Sequence, residues 1–245
     1  TVVTTKPLKT GRGKKVKPNI IETFCLENNI NYKYFNQNDI YEDMSSALCV
    51  SFKNIFSRTF LNNNNNIYNL HLSLLPKYRG PSPVESQILN DEKNIGYSIF
   101  KIDEKVDAGP LIYKNKIVYQ NDLYASNVYK NIFKDFTKSF DNIINNLNTN
   151  SIQNNKVASF TKKFNKTDFC INDNDVATAQ RKIRAFDVIG PAYVMHNNKN
   201  IKIHKYTYEN LGLEINLIDG FIFPLEITPE GRNRMKVQDY IRGLK

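Results

Sequence analysis

Three polar residues supply the side-chain types that transfer of an acyl group to an amine requires. Asn69 and His71 stand two positions apart in "YNLHLSLLPKYRG", residues 68–80, and Asp107 lies in "KVDAGPL". Residues i and i+2 of a strand point to the same face of a sheet, so Asn69 and His71 can reach one cleft.

Each of these side chains has a defined use in such a reaction. His71 can move a proton near neutral pH, and the Asn69 amide can donate to the oxyanion of a tetrahedral intermediate. A carboxylate beside the imidazole, as Asp107 would provide, fixes the tautomer and favours the charged form. The residue types also fit a structural hydrogen bond between a strand-end histidine and an aspartate, so both interpretations stay open at this point.

A basic segment precedes this motif. Six basic side chains lie between Lys6 and Lys17, and the first acidic residue is Glu22. Two glycines bracket Arg12, which indicates a flexible loop. Such a loop is suited to phosphate contacts, and the alternative is a solvated basic turn.

The elements that must position these residues alternate between strands and helices. Apolar runs and period-two patterns predict five strands around the motif, in "TVVTTKP", "INYKYF", "SALCVSF", "IGYSIFKI" and "GPLIYKNKIVY". Helical spacing is found in "PNIIETFCLENNI" and "DLYASNVYKNIFKDFTKSFDNIINNL". This order predicts an α/β domain with a mainly parallel sheet over residues 1–150. The asparagine run at residues 62–66 is expected to be a solvated loop.

The character of the sequence changes near residue 151. Residues 151–164 are polar and indicate a linker, and residues 165–245 contain two strand-rich stretches with Asn-Asn and Asp-Gly turn signals. We therefore expect a second, small β-domain at the carboxyl end.

Composition narrows the class of protein. The formal charge of +10 and pI near 9.3 favour a polyanionic partner, although a lysine-rich soluble protein has the same balance. The three cysteines form no CxxC motif, which argues against a disulfide framework and against a thiolate zinc site. No apolar run approaches the roughly 20 residues that span a bilayer, and "TVVTTKP" has none of the features of a signal peptide. We expect neither a metal nor a membrane partner.

Two longer stretches carry a resemblance to a known family. "NLHLSLLPKYRGPSPVESQIL" and "NIGYSIFKIDEKVDAGPLIY" resemble the methionyl-tRNA formyltransferases, within the wider group of transformylases that use 10-formyltetrahydrofolate. The resemblance implies a Rossmann-like formyltransferase domain, with Asn69, His71 and Asp107 as the catalytic residues. It also implies that Ser73, Leu74, Leu75 and Pro76 bind the folate.

Other parts of the chain resemble the tRNA-binding features of that family. The basic loop is similar to one that inserts at the acceptor end of the initiator tRNA, which implies contacts from Arg12, Lys14 and Lys15. "SFTKKFNKTDFCIND" resembles the family's linker, in which Lys163 matches a tRNA-contacting lysine. Residues 165–245 resemble the family's small tRNA-binding β-barrel, which is OB-like. The family pattern has one more strand ahead of "TVVTTKP", so we expect an N-terminally truncated catalytic domain.

The resemblance implies formyl transfer from 10-formyltetrahydrofolate to methionyl initiator tRNA by a monomer. One alternative is a folate-dependent formyltransferase that acts on another amine, such as an amino sugar or a purine precursor. Another is an inactive tRNA-binding remnant.

The asparagine and lysine bias suggests an AT-rich genome, and we expect an organelle (mitochondrion or plastid), or the cytoplasm if the source is bacterial.

Overall fold

The structure is a computed structural model that describes residues 1–10, 15–41, 44–118, 122–147 and 151–244. It divides into two compact units, the first formed by residues 1–47 and 52–67 and the second by residues 48–51 and 68–245. No helix in the described ranges is both long and apolar enough to cross a membrane.

The first unit contains two short strand pairs and two helices. Strands β1 and β4 pair in parallel, and β2 and β3 form an antiparallel hairpin. The elements are β1 (Val2–Thr4), β2 (Lys9–Thr10), β3 (Lys15–Val16), α1 (Ile20–Glu27), β4 (Tyr32–Tyr34) and α2 (Arg58–Asn63). The Asn19 side chain caps α1 by accepting from the Glu22 N–H at 2.9 Å, which satisfies a donor that the helix leaves unpaired.

The asparagine run is not a solvated loop throughout. Asn64 is only 3% exposed, and its amide donates to the carbonyls of Asp39 and Phe60 and accepts from the Tyr41 N–H. The run ends α2, and a buried asparagine there satisfies backbone groups that would otherwise be unpaired. The expectation from composition was wrong at this residue, because low complexity says nothing about which member of a run faces inward.

The second unit begins with a four-stranded sheet in the order β5-β6-β7-β8. Its strands and helices are β5 (Ala47–Val50), β6 (Ile67–His71), α3 (Pro83–Leu89), β7 (Gly96–Lys101), β8 (Leu111–Lys116) and α4 (Ala125–Asn145). The pairs β6–β7 and β7–β8 are antiparallel, so the expectation of a mainly parallel sheet was wrong and the α/β fold has a mixed sheet. Residues 102–110 hold no helix, and such a short connection cannot make the crossover that parallel neighbours need.

An antiparallel sheet makes up most of the carboxyl end of this unit. Its five strands follow the order β11-β12-β10-β9, with β13 paired to β12. The elements are α5 (Val176–Ala185), β9 (Ala192–His196), β10 (Lys199–Thr207), β11 (Ile215–Asn216), β12 (Phe221–Pro229), β13 (Met235–Lys236) and α6 (Val237–Arg242). The second unit therefore has two apolar cores: one packs α3 and α4 on the β6–β7 sheet, and the other lies on the carboxyl-terminal sheet.

Candidate active site

His71 is the last residue of β6 and lies in the interior. Four of the five β6 residues are buried, and His71 itself is 5% exposed. Its Nε2 lies 2.8 Å from the Tyr78 carbonyl oxygen, and the Phe100 ring meets the imidazole edge to face at 6.5 Å. The strand thus delivers the imidazole into a site that is largely closed to solvent.

Asp107 lies beside the other ring nitrogen. Its Oδ2 is 3.5 Å from His71 Nδ1 and accepts a hydrogen bond from the Gly80 N–H at 2.7 Å. The backbone of Asp107 has a φ of +51°, a left-handed conformation in which aspartate is better tolerated than most residues. Two turns hold the carboxylate, one before β8 and one after β6, and Gly80 supports the second with a φ of +111°.

The glycine of "VDAG" is needed for close packing. A side chain at Gly109 would collide with the Lys101 carbonyl oxygen at the end of β7. Because Gly109 lets the two backbones approach, Asp107 can turn in beside β6.

The partners of His71 define its tautomer. A carbonyl oxygen can only accept, so Nε2 carries the proton and donates to Tyr78. In the neutral ring Nδ1 then has no proton, and it lies 3.5 Å from the Asp107 carboxylate, which is also only an acceptor, so a proton taken up at Nδ1 would lie between the two. Burial lowers the pKa of His71, against the opposing effect of Asp107. The imidazole is therefore neutral at pH 7 and ready to take a proton, and the carboxylate then becomes the partner of the resulting cation.

Asn69 stands on the same strand two residues earlier, opposite Phe100 on β7. Its side chain is half-buried, and no described residue hydrogen-bonds the side-chain amide. The structure thus places Asn69 and His71 on one strand at the spacing that shares a face, and it places His71 next to Asp107.

The residues after His71 form a tightly bonded loop. Ser73 and Leu75 are fully buried, so these two shape the loop from within. The Ser98 hydroxyl on β7 donates to the Ser73 carbonyl oxygen at 2.7 Å and accepts from the Leu75 N–H at 3.0 Å. Ser73 Oγ donates to the Lys77 carbonyl oxygen at 2.6 Å.

A cavity of about 250 Å³ opens beside this loop. Leu74, Leu75 and Pro76 line it, together with polar side chains of Gln87 and Lys114. The Gln87 side chain is buried, and its Oε1 has no hydrogen-bond partner among the described residues. An apolar wall with a few polar side chains beside it is the kind of surface that suits a small ring-shaped ligand.

Residues 151–161 run alongside the loop that follows β6. The Arg79 N–H donates to the Ser159 carbonyl oxygen, and the Thr161 N–H donates to the Arg79 carbonyl oxygen, at 2.8 and 2.7 Å. Arg79 and Gln153 are each 4% exposed, and the guanidinium donates to Gln153 Oε1 at 2.7 and 3.2 Å. The polar stretch after α4 therefore contributes directly to the walls of the site.

The predicted tRNA-contacting residues are described only in part. Arg12 and Lys14 are outside the described residues, and of Lys15 only the backbone, in β3, is described. Lys163 is exposed, whereas its neighbour Lys162 is paired with Asp168 at 2.6 Å.

Sequence reasoning missed several groups that hold the pair in place. The Tyr78 carbonyl and the Gly80 N–H are backbone groups inside the "PKYRG" motif. The proline and glycine of that motif indicate a turn, but they do not indicate which side chains its backbone groups bind. Gln153 has no signal at all, because an amide in a polar stretch follows no periodic pattern. Among the described residues, no group of three or more His, Cys, Asp or Glu side chains is placed to hold a metal ion.

Comparisons with known proteins identify relatives that match most of this chain. A methionyl-tRNA formyltransferase of Wolbachia from Drosophila simulans is 28% identical over all of this chain and 88% of its own length. Among solved structures, a methionyl-tRNA formyltransferase from Clostridium thermocellum superposes with a TM-score of 0.60 at 16% identity, over 87% of this chain and 92% of its own.

A second solved structure, of another formyltransferase, has the same fold. An N-formyltransferase from Helicobacter canadensis, in complex with folinic acid and dTDP-3-aminofucose, superposes with a TM-score of 0.60 at 23% identity, over 89% of this chain and 85% of its own. The family model described as formyl transferase matches residues 1–139, the part that contains His71 and Asp107. This chain therefore belongs to the formyl transferase family.

Proposed function

We propose that this chain transfers a formyl group from 10-formyltetrahydrofolate to the α-amino group of methionyl initiator tRNA. The buried His71–Asp107 pair carries the proposal. A neutral imidazole whose basic nitrogen faces a carboxylate is suited to receive a proton from an amine as that amine attacks a carbonyl carbon.

In the proposed reaction a bond forms between the amine nitrogen and the formyl carbon, and the bond from that carbon to N10 of the folate breaks. His71 Nδ1 takes the proton that the amine loses, directly or through a water, and the proton is returned to N10 as it leaves. Asp107 stabilises the imidazolium between these two steps. The Asn69 amide donates to the formyl oxygen while that oxygen carries negative charge.

Support for folate comes from the cavity beside residues 73–76. Its apolar wall of Leu74 and Pro76, with the polar side chains of Gln87 and Lys114 beside it, fits a ring system that carries polar groups at its edge. The Helicobacter canadensis enzyme of the same fold is in complex with folinic acid, which is itself a formylated tetrahydrofolate. Ser73 and Leu75 would act through the loop they stabilise, since both side chains are buried.

Support for tRNA as the acceptor comes from the curated relatives and from charge. The Wolbachia relative, which matches the whole chain, is a methionyl-tRNA formyltransferase. Lys163 is exposed, and the basic segment with Arg12, Lys14 and Lys15 adds positive charge that phosphates favour.

The proposal includes a domain division into residues 1–150, a 151–164 linker and a tRNA-binding domain at 165–245. The apolar core on the carboxyl-terminal sheet supports a separate domain, and the antiparallel order of its strands suits a β-barrel.

The subcellular location of the protein stays a prediction. The relatives are bacterial, including Wolbachia and Thermosipho, which fits the cytoplasmic alternative, whereas an organelle was expected from the family resemblance. Formylated initiation occurs in both settings, so the chemistry is the same.

A comparison of acceptors tests the proposal. Purified protein and 10-formyltetrahydrofolate are incubated with initiator methionyl-tRNA, elongator methionyl-tRNA or a dTDP-amino sugar, and formylated product is quantified. We expect formylation of the initiator tRNA above both others. Formylation of the sugar nucleotide alone would show that the chain is a formyltransferase acting on amino sugars. Binding of tRNA without binding of folate would identify an inactive remnant.

A further inference from the structure

Gln153 connects the two turns that hold the buried pair. Its Oε1 accepts from the guanidinium of Arg79, the residue before Gly80, whose N–H donates to Asp107 Oδ2. Its Nε2 donates to the carbonyl oxygens of Asp107 and Gly109 at 3.0 and 2.8 Å. One amide thus joins the turn after β6 to the turn before β8.

The partners fix the orientation of this amide. A guanidinium has only donors, and a backbone carbonyl has only an acceptor, so the oxygen of Gln153 must face Arg79 and the nitrogen must face the other turn. Glutamate would supply the acceptor and lose both donors, and methionine would supply neither. Of the residues with this reach, only glutamine can satisfy both turns at once.

Because Gln153 is buried, the loss of its hydrogen bonds would carry a large energetic cost. Gln153 is 4% exposed, so its lost hydrogen bonds would not be replaced by bulk water. The Asp107 backbone has a positive φ, a conformation that persists only where the surroundings hold it. Two of the bonds that hold it there end on the Gln153 nitrogen.

We infer that Gln153 is a positioning residue for the reaction, acting by holding the Asp107 carboxylate beside His71 Nδ1. The inference rests on the proposed function, because it assigns Gln153 a part in the same proton transfer. It extends the positioning network to Asn155, whose Oδ1 also accepts from Arg79 at 2.9 Å.

The first measurement needs no substrate. Asp107 raises the pKa of His71, so a variant that loosens Asp107 should have a His71 with a lower pKa than the wild type. NMR titration of the imidazole resonances in wild-type protein and in Gln153→Met measures this, with His196 and His204 as internal references. In an Asp107→Asn background the same substitution should leave the His71 pKa unchanged, because the group it acts through is gone. An unchanged His71 pKa in Gln153→Met, with a lowered melting temperature, would reduce Gln153 to a structural residue.

The second measurement uses Gln153→Glu, which keeps the acceptor for Arg79 and removes the donors to the other turn. We expect kcat for formyl transfer to fall, by up to about a hundredfold for a displacement near 1 Å, with little change in KM. Asn154→Ala is the matched control, because Asn154 is exposed and its side chain accepts only from the nearby Lys156 N–H. Wild-type kcat in Gln153→Glu would overturn the inference, and this holds even if Gln153→Met fails to fold.

The two measurements separate this inference from the proposed function. If the wild-type protein formylates no tRNA, the proposed function fails, and the NMR titration still reports whether Gln153 holds Asp107 at His71.

Discussion

The two sheets of the second unit place polar residues in opposite ways. Around β6 and β7 the interior contains hydrogen-bonded polar side chains: His71, Ser73, Arg79, Gln87, Ser98 and Gln153. Within residues 192–236, all of which are described, every buried residue is apolar or proline and the lysines Lys199, Lys202 and Lys205 are exposed. A reaction needs groups out of water, where interactions between charges are strong. A charged surface that meets a polyanion needs its cations outside.

The largest expected effect comes from the histidine of the buried site. His71→Ala removes the group that takes the proton, so kcat for formyl transfer should fall by about 10²–10⁴-fold, while tRNA binding persists. His204→Ala is the matched histidine in the carboxyl-terminal sheet, where His204 Nε2 lies 2.8 Å from Thr228 Oγ1. A formylation assay compares both variants with the wild type. Equal activity of His71→Ala and the wild type would show that His71 does not take the proton, and that the buried polar site around β6 is not where the reaction occurs.

The apolar core of the carboxyl-terminal sheet should determine stability instead. Ile203 on β10 is fully buried, and Ile203→Ala should lower the free energy of unfolding by about 2–5 kcal/mol. Urea unfolding followed by circular dichroism measures the loss. The exposed neighbour Lys202 provides the control, since Lys202→Ala should change stability by no more than about 0.5 kcal/mol. A loss in Lys202→Ala as large as in Ile203→Ala would contradict this assignment of the core.

The pH profile should report the burial of His71. The reaction needs the neutral imidazole, and burial lowers the pKa of His71 below its ordinary value of about 6.5. The acid limb of kcat/KM should therefore lie below pH 6.5, with activity lost as the pH falls. Stability changes in the same direction, because between the folded pKa and 6.5 the unfolded chain binds a proton that the folded chain excludes. Circular dichroism at each pH separates these effects, and a limb above pH 6.5 would show that His71 is not the titrating base.

The smallest effect should come from a single exposed charge. Lys163→Ala should weaken tRNA binding at low salt and lower the slope of log K against log salt by about one, with kcat unchanged. Lys162→Ala is the control, because Lys162 is paired with Asp168 and releases fewer ions on binding. Arg12→Ala should behave as Lys163→Ala does. A slope unaffected by Lys163→Ala would separate this lysine from the tRNA surface.

The sequence predicted the elements around the site better than their arrangement. Strand-like apolar patterns located β7 and β8. No pattern located β6, whose strand character was assumed from the two-residue spacing of Asn69 and His71. Pairing direction is not encoded in those patterns. The short helix-free connection at residues 102–110 favours an antiparallel β7–β8 pair, whereas β6 and β7 are joined through α3 and their direction has no such signal.

Buried side chains that hydrogen-bond backbone groups were the hardest to predict. His71 and Asp107 are 36 positions apart in the sequence, and only the family resemblance joined them. Asn64 and Gln153 are buried amides within polar stretches, and composition assigned both to solvent. Their burial depends on which backbone groups need partners, and that is decided only once the chain has folded.

The pairing of residues 151–161 with the loop after β6 has a consequence for biosynthesis. Ser159 Oγ accepts from the Tyr78 N–H across 81 positions, and Gln153 joins turns that were translated long before it. A nascent chain that emerges only as far as α4 has both His71 and Asp107 but lacks the segment that ties their loops together. Because residues 151–161 are synthesised after both turns, a chain that ends before them lacks the hydrogen bonds that tie the two turns together.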